Sequence, residues 1–66
     1  MTPQIKLTAA RNSGAVVTVR TADGRARTGV VKDHMSGGPF PMYVRAEGVH
    51  FPMLFHPEDV VEVTPA

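Results

Sequence analysis

Three arginines beside a predicted chain reversal are the residues of this sequence with the clearest chemical potential. Arg20 precedes the dipeptide Asp23-Gly24, and Arg25 and Arg27 follow it. Guanidinium groups bind phosphate oxygens through several N–H donors and give affinity without reading a base sequence. Like charges paired across a hairpin also favour an anion between them. The cluster predicts either a contact for nucleic acid or another polyanion, or a solvated face on which the long side chains spread apart.

Aromatic residues and prolines form a second candidate surface, which would bind protein. Its members are Phe40, Pro41, Tyr43 and Pro52. Exposed rings can line a peptide groove or stack on bases. In a chain without tryptophan, however, aromatic residues are also needed to fill the core, and we expect Phe51 and Phe55 to lie there. Phe40, beside glycines and prolines, is predicted to be exposed.

No catalytic or metal-binding constellation stands out. His34, His50 and His56 occur without any cysteine, and their spacing follows no zinc pattern. No nucleophile, phosphate-binding glycine loop or pair of carboxylates accompanies them. Glu58 and Asp59 follow Pro57, where a helical turn favours negative charge. The sequence therefore indicates a protein that is not an enzyme and has no metal site and no cofactor.

A β-hairpin centred on Asp23-Gly24 must position the arginines. Residues 15–21 are rich in β-branched side chains, and Asp-Gly favours a two-residue type I′ turn, so the chain should return through residues 25–32. That turn would place Arg20 opposite Arg27. It predicts a core face composed of Val17, Val19, Thr21, Ala26, Thr28 and Val30. Gly29 indicates a bulge or bend, beyond which Val31 would turn inward.

The segment before the hairpin can be interpreted in two ways. Thr2 and Pro3 resemble a helix N-cap and first helical residue, and Gly14 could end a short helix. Ile5 and Leu7, however, alternate with polar residues in the two-residue period of a strand. Residues 1–14 are therefore either a short helix or a strand.

The rest of the chain predicts a small barrel. Residues 34–41 form a loop, and strands are predicted at residues 42–47, 49–55 and 60–63, with Pro52 on an edge or at a bulge. One helical turn at residues 56–59 precedes the last strand. The predicted fold is all-β, a five-stranded SH3-like small barrel over residues 15–64.

Composition narrows the possible classes of protein. The 66 residues allow one domain of marginal stability, and the lack of cysteine excludes disulfides, so a homo-oligomer is expected. No long apolar run or signal segment is present, which predicts a cytoplasmic protein that does not contact a membrane.

Residues 1–45 carry seven basic and two acidic side chains, a net +5, whereas residues 46–66 carry four acidic side chains, a net −4. That asymmetry is accidental, or it indicates an anionic partner or head-to-tail self-association.

Two family resemblances rest on short motifs. Asp23-Gly24, Gly29 and Val31 resemble the first motif of Sm-like proteins, and residues 53–63 are similar to their second motif in length and apolar spacing. The residues with which that family contacts RNA bases have no counterpart at 34–38, so none is carried over. Residues 37–45 and 54–57 resemble short bacterial SH3-like proteins without an established activity. Both resemblances imply the same barrel.

These observations together predict a small non-enzymatic binding module. Its first predicted partner is nucleic acid or another polyanion, bound by Arg20, Arg25 and Arg27. The alternative is a protein-interaction or assembly module that uses the glycine- and proline-rich loop and an exposed sheet edge.

Overall fold

One helix and five short strands make up the fold. The structure, a computed structural model, describes residues 2–33, 41–46, 48 and 51–66. In chain order the elements are α1 (Pro3–Ser13), β1 (Val16–Thr21), β2 (Ala26–Asp33), β3 (Met42–Arg45), β4 (Met53–Phe55), a 3-10 turn (Pro57–Asp59) and β5 (Val60–Pro65). The strands form one antiparallel sheet in the order β4-β3-β2-β1-β5. The predicted all-β, five-stranded fold is confirmed.

Residues 3–13 are helical, which decides between the two predictions for the N-terminal segment. The Thr2 hydroxyl accepts a hydrogen bond from the backbone N–H of Ile5, and Pro3 occupies the first turn. Gly14 ends the helix at φ 72°, a left-handed conformation that glycine adopts without a Cβ clash. Leu7 and Ala10 are buried and pack the helix against the sheet. Ile5 and Leu7, two positions apart, lie on different sides of the helix, so Ile5 is exposed while Leu7 is buried.

The core is formed by the inner face of the sheet and the buried side of α1. Its largest fully buried side chains are Phe55, Leu7, Val19, Val31 and Val44. Alternate residues of β1 point inward, and the same alternation in β3 and β4 buries Met42, Val44, Met53 and Phe55. In the part of the chain that the structure describes, no helix has the length and hydropathy needed to span a bilayer.

The hairpin of β1 and β2 forms as predicted, but its register differs by one residue. Arg20 pairs with Ala26, and Val19 pairs with Arg27. The predicted pairing of Arg20 with Arg27 is therefore wrong. A one-residue slip exchanges the two faces of a strand, so it changes which side chains of β2 point into the core.

The register changes because the turn has three residues instead of two. The Thr21 N–H donates to the Arg25 carbonyl, 2.9 Å away, and the Gly24 N–H donates back to the Thr21 carbonyl at 3.1 Å. Gly24 adopts φ 90°. These features belong to a type I turn followed by a left-handed glycine, the common three-residue hairpin loop. The Asp-Gly dipeptide is compatible both with this three-residue loop and with the predicted two-residue turn.

The slip moves three predicted core residues to the outer face. Ala26 and Thr28 are exposed and Val30 is half-buried, whereas Thr21 and Val31 are buried as predicted. The Thr28 hydroxyl lies 2.7 Å from that of Thr18, its outer-face partner. The inward positions of β2 are Arg27, Gly29 and Val31.

Gly29 is required by a close backbone approach. No register shift interrupts the pairing of β2 with β1 or β3, so the predicted bulge is absent from the described strands. A Cβ atom at Gly29 would lie 2.1 Å from the carbonyl oxygen of Arg45. Only glycine lets the two backbones come this close.

Phe51 lies outside the strand and the core in which it was predicted. β4 begins only at Met53, directly after Pro52, which cannot donate a ladder hydrogen bond. Phe51 is 81% exposed, whereas Phe55 is completely buried as predicted. The prediction of β4 as an edge strand is confirmed.

Gly29→Ala should destabilise the protein by about 2 kcal/mol or more, because β2 and β3 must separate to admit a methyl group. Urea unfolding followed by circular dichroism measures the change. Gly24→Ala is the comparison: its Cβ meets no atom, but alanine at a positive φ costs about 1 kcal/mol. A Gly29→Ala variant as stable as the wild type would contradict the close approach.

The Asp23 carboxylate should stabilise the fold in a pH-dependent way. The pKa of its carboxyl lies below the ordinary value of 3.8, first because the Thr21 hydroxyl donates a hydrogen bond to it and also because Arg25 does. A lowered pKa favours the carboxylate in the folded state, so its contribution is complete above pH 3.8 and is lost as the pH falls through the folded-state pKa.

The Asp23→Asn variant isolates this contribution from the other carboxylates. The difference in unfolding free energy between wild type and variant should be constant near neutral pH and should shrink below pH 3.8. Chemical denaturation at a series of pH values measures it. A difference that stays unchanged into the acid range would show that Asp23 does not carry the effect.

Candidate nucleic-acid interface

Arg25 links the hairpin turn to the edge strand β4. Its Nε donates to Asp23 Oδ2 at 2.7 Å, and its Nη1 donates to the carbonyl oxygen of Leu54 at 2.9 Å. The Asp23 carboxylate also accepts hydrogen bonds from the Thr21 hydroxyl and the Arg25 backbone N–H. The turn residue Asp23 therefore orients the guanidinium that reaches β4.

Arg27 makes a similar connection one step further along β2. It lies on the inward face, is half-buried, and its Nη1 donates to the carbonyl oxygen of Phe51 at 3.2 Å. Arg25 and Arg27 thus bind carbonyls of the same short segment, three residues apart. We name Arg25, Arg27 and the exposed Phe51 the arginine–phenylalanine surface.

Arg20 does not belong to this surface. It projects from the opposite face of the hairpin, where its Nε lies 3.6 Å from Oε1 of Glu62 on β5. The structure therefore brings together two of the three predicted arginines and separates the third. The predicted three-arginine face is wrong in this respect, and the reason is the three-residue turn.

One ion pair of the described residues, Arg20 with Glu62, joins the basic and the acidic part of the sequence. Two further arginine ion pairs of the described residues, Arg11 with Asp33 at 3.3 Å and Arg25 with Asp23, lie within the basic part. These three arginine pairs are exposed, so the attraction between the two charges itself contributes little to stability. Arg27 has no carboxylate partner among residues 2–33, 41–46, 48 and 51–66, and its hydrogen bond to a neutral carbonyl leaves its charge uncompensated.

Polar side chains donate hydrogen bonds to backbone carbonyls at or beside both edge strands, β4 and β5. On β4 the carbonyl of Leu54, like that of Phe51 just before the strand, accepts an arginine N–H. On the other edge, Gln4 Nε2 donates to the carbonyls of Val60 and Pro57, each at 3.1 Å. A carbonyl that is already bonded is a poorer site for a further strand. The exposed edge predicted near Pro52 is therefore partly covered.

The residues of the predicted protein-binding surface are dispersed. Pro41 is exposed just before β3, and Pro52 is half-buried just before β4. Tyr43 is half-buried on the outer face, paired with Lys32 and Leu54. It lines a shallow depression of about 280 Å³ together with Val30, Lys32 and Arg45. Phe40 lies outside the described residues.

Only one of the three histidines, His56, lies among the described residues. His34 and His50 lie outside the described residues, and His56 Nδ1 is 3.9 Å from Oε1 of Glu58. Within the described ranges no three side chains of His, Cys, Asp or Glu are grouped to hold a metal ion.

Phe51 is the member of the surface that the sequence did not reveal as exposed. Its alternation with Val49 and Met53 is that of an inward-facing strand residue. The only signal against this interpretation is Pro52, since a proline is often the residue at which a strand starts.

Comparison of the chain with protein-family models, with curated proteins and with solved structures found no match.

Proposed function

We propose that this domain is a small non-enzymatic binding module for a polyanion of the nucleic-acid class, and that Arg25 and Arg27 make the contact. The observation that carries the proposal is that the two guanidiniums are held on carbonyls of one segment, three residues apart. A cytoplasmic setting is part of the proposal. Arg20, on the other face, is not part of the proposed contact.

Preorganisation supports this assignment. A flexible arginine loses rotamer freedom when it binds a ligand, which reduces affinity. Hydrogen bonds to Leu54 and Phe51 restrict Arg25 and Arg27 before any ligand arrives. A carbonyl partner does not cancel the positive charge, so Arg27 keeps its full attraction for a phosphate, and further guanidinium N–H groups can donate to phosphate oxygens.

A protein-interaction or self-assembly module is the second candidate. It is favoured by the apolar side chains on the exterior: Val16 and Val61 are each 51% exposed. Val16 lines a depression of about 530 Å³ with Thr28, Val30 and Arg45 on the outer face. A homo-oligomer that buries such residues would add to the small core of a 66-residue chain.

Fluorescence polarisation with a labelled single strand of about twelve nucleotides tests the leading proposal. Arg25→Gln and Arg27→Gln should each weaken binding about tenfold at low salt, because each removes a charge-assisted contact. Each should also reduce the salt slope of log K by about 0.7. Arg20→Gln is the matched control and should bind within about twofold of the wild type.

Circular dichroism of each variant separates lost binding from lost folding. If the wild-type protein fails to bind at about 50 mM salt, the leading proposal is wrong. It is also wrong if Arg20→Gln weakens binding as much as Arg27→Gln while both variants remain folded.

A further inference from the structure

We infer that the arginine–phenylalanine surface selects single-stranded over duplex nucleic acid, because Phe51 provides a ring on which an unpaired base stacks. This inference rests on the proposed function and adds a ligand class to it. It assigns different tasks to the residues: the two arginines attract the phosphates, and Phe51 distinguishes the strand form.

Phe51 differs from the other exposed apolar residues. It is 81% exposed, whereas Ile5, Val16 and Val61 are 51–53% exposed. Leaving an aromatic ring in water gives up the burial energy that its area would otherwise supply, about 25 cal/mol per Å². The Phe51 ring is therefore accessible to a ligand.

The backbone of Phe51 is restrained on its C-terminal side. Its carbonyl accepts the hydrogen bond from Arg27 at 3.2 Å. The next residue is Pro52, whose ring fixes φ, and Met53 beyond it is buried in the core. The exposed ring is thus attached to a restrained backbone, as a stacking platform requires.

A hydrogen bond joins the Arg27 guanidinium to the backbone of Phe51. Arg27, which has no carboxylate partner among the residues that the structure describes, donates to the backbone carbonyl of the residue that carries the exposed ring. Binding sites for single strands combine these two elements, a cationic groove for the backbone and an aromatic face for a base. The sequence separates the two residues by 24 positions, and the fold brings them together.

The chemistry of stacking gives the selectivity. In a duplex each base is covered on both faces by its neighbours, so its face is not accessible to a protein ring unless the helix is distorted. In a single strand a base can leave the stack and lie on a ring without regard to its identity. Phosphates, in contrast, are exposed in both forms, so Arg25 and Arg27 alone would bind either.

Three probes separate these tasks: an unstructured single strand, a duplex containing it, and heparin. Their binding is measured by polarisation and by competition for wild type, Phe51→Leu and Phe51→Tyr. Phe51→Leu should weaken single-strand binding roughly tenfold, within the 5- to 150-fold range of a lost base stack, and should change duplex and heparin binding by less than about twofold. Phe51→Tyr should retain single-strand binding.

Val61→Ala is the control for removing an exposed apolar side chain remote from the surface, and it should bind all three probes as the wild type does. The inference is overturned if the wild type binds single strand and duplex with equal affinity, or if Phe51→Leu binds the single strand normally. Neither result would contradict polyanion binding by Arg25 and Arg27. If the wild type binds none of the three probes, both the proposed function and the inference are overturned.

Discussion

The Asp23 carboxylate controls the hairpin on which the rest of the structure depends. It accepts hydrogen bonds from the Thr21 hydroxyl before the turn and from two N–H groups of Arg25 after it. With Gly24 in the left-handed region, these bonds hold a three-residue turn, and the turn fixes how β1 pairs with β2. Because side chains alternate between faces, that single choice decides which residues of β2 enter the core and which arginines can approach β4.

The same register gives Arg25 and Arg27 two roles, one structural and one chemical. β2 forms no ladder with β4, yet Arg25, just before β2, donates to Leu54 of β4, and Arg27 of β2 donates to Phe51, just before β4. They thereby occupy carbonyls near an edge strand, which protects that edge from pairing. Their charge stays at the surface, where the exposed Phe51 adjoins it. An arginine in this position holds the sheet together and remains able to attract an anion.

The sequence predicted the secondary-structure elements better than the register in which β1 and β2 pair. Dense β-branched residues and Asp23-Gly24 predicted the hairpin, and alternation correctly identified Val17, Val19 and Phe55 as core. The register was wrong because Asp-Gly suits two-residue and three-residue turns alike, and the deciding hydrogen bonds of Asp23 involve side-chain geometry that a dipeptide does not specify. Phe51 was misplaced because its alternation was extended across Pro52. Its contact with Arg27 joins residues 24 positions apart, which no local pattern encodes.

Nuclear Overhauser contacts between backbone Hα protons across β1 and β2 test the central claim most directly. Thr21 and Arg25 form a hydrogen-bonded pair, and such pairs alternate along an antiparallel ladder with closer, non-hydrogen-bonded pairs. Arg20 with Ala26 and Thr18 with Thr28 are therefore non-hydrogen-bonded pairs. Strong Hα–Hα contacts are expected for those two pairs. Contacts from Thr21 to Ala26 and from Val19 to Thr28 would instead show a two-residue turn, place Arg20 opposite Arg27, and contradict the account.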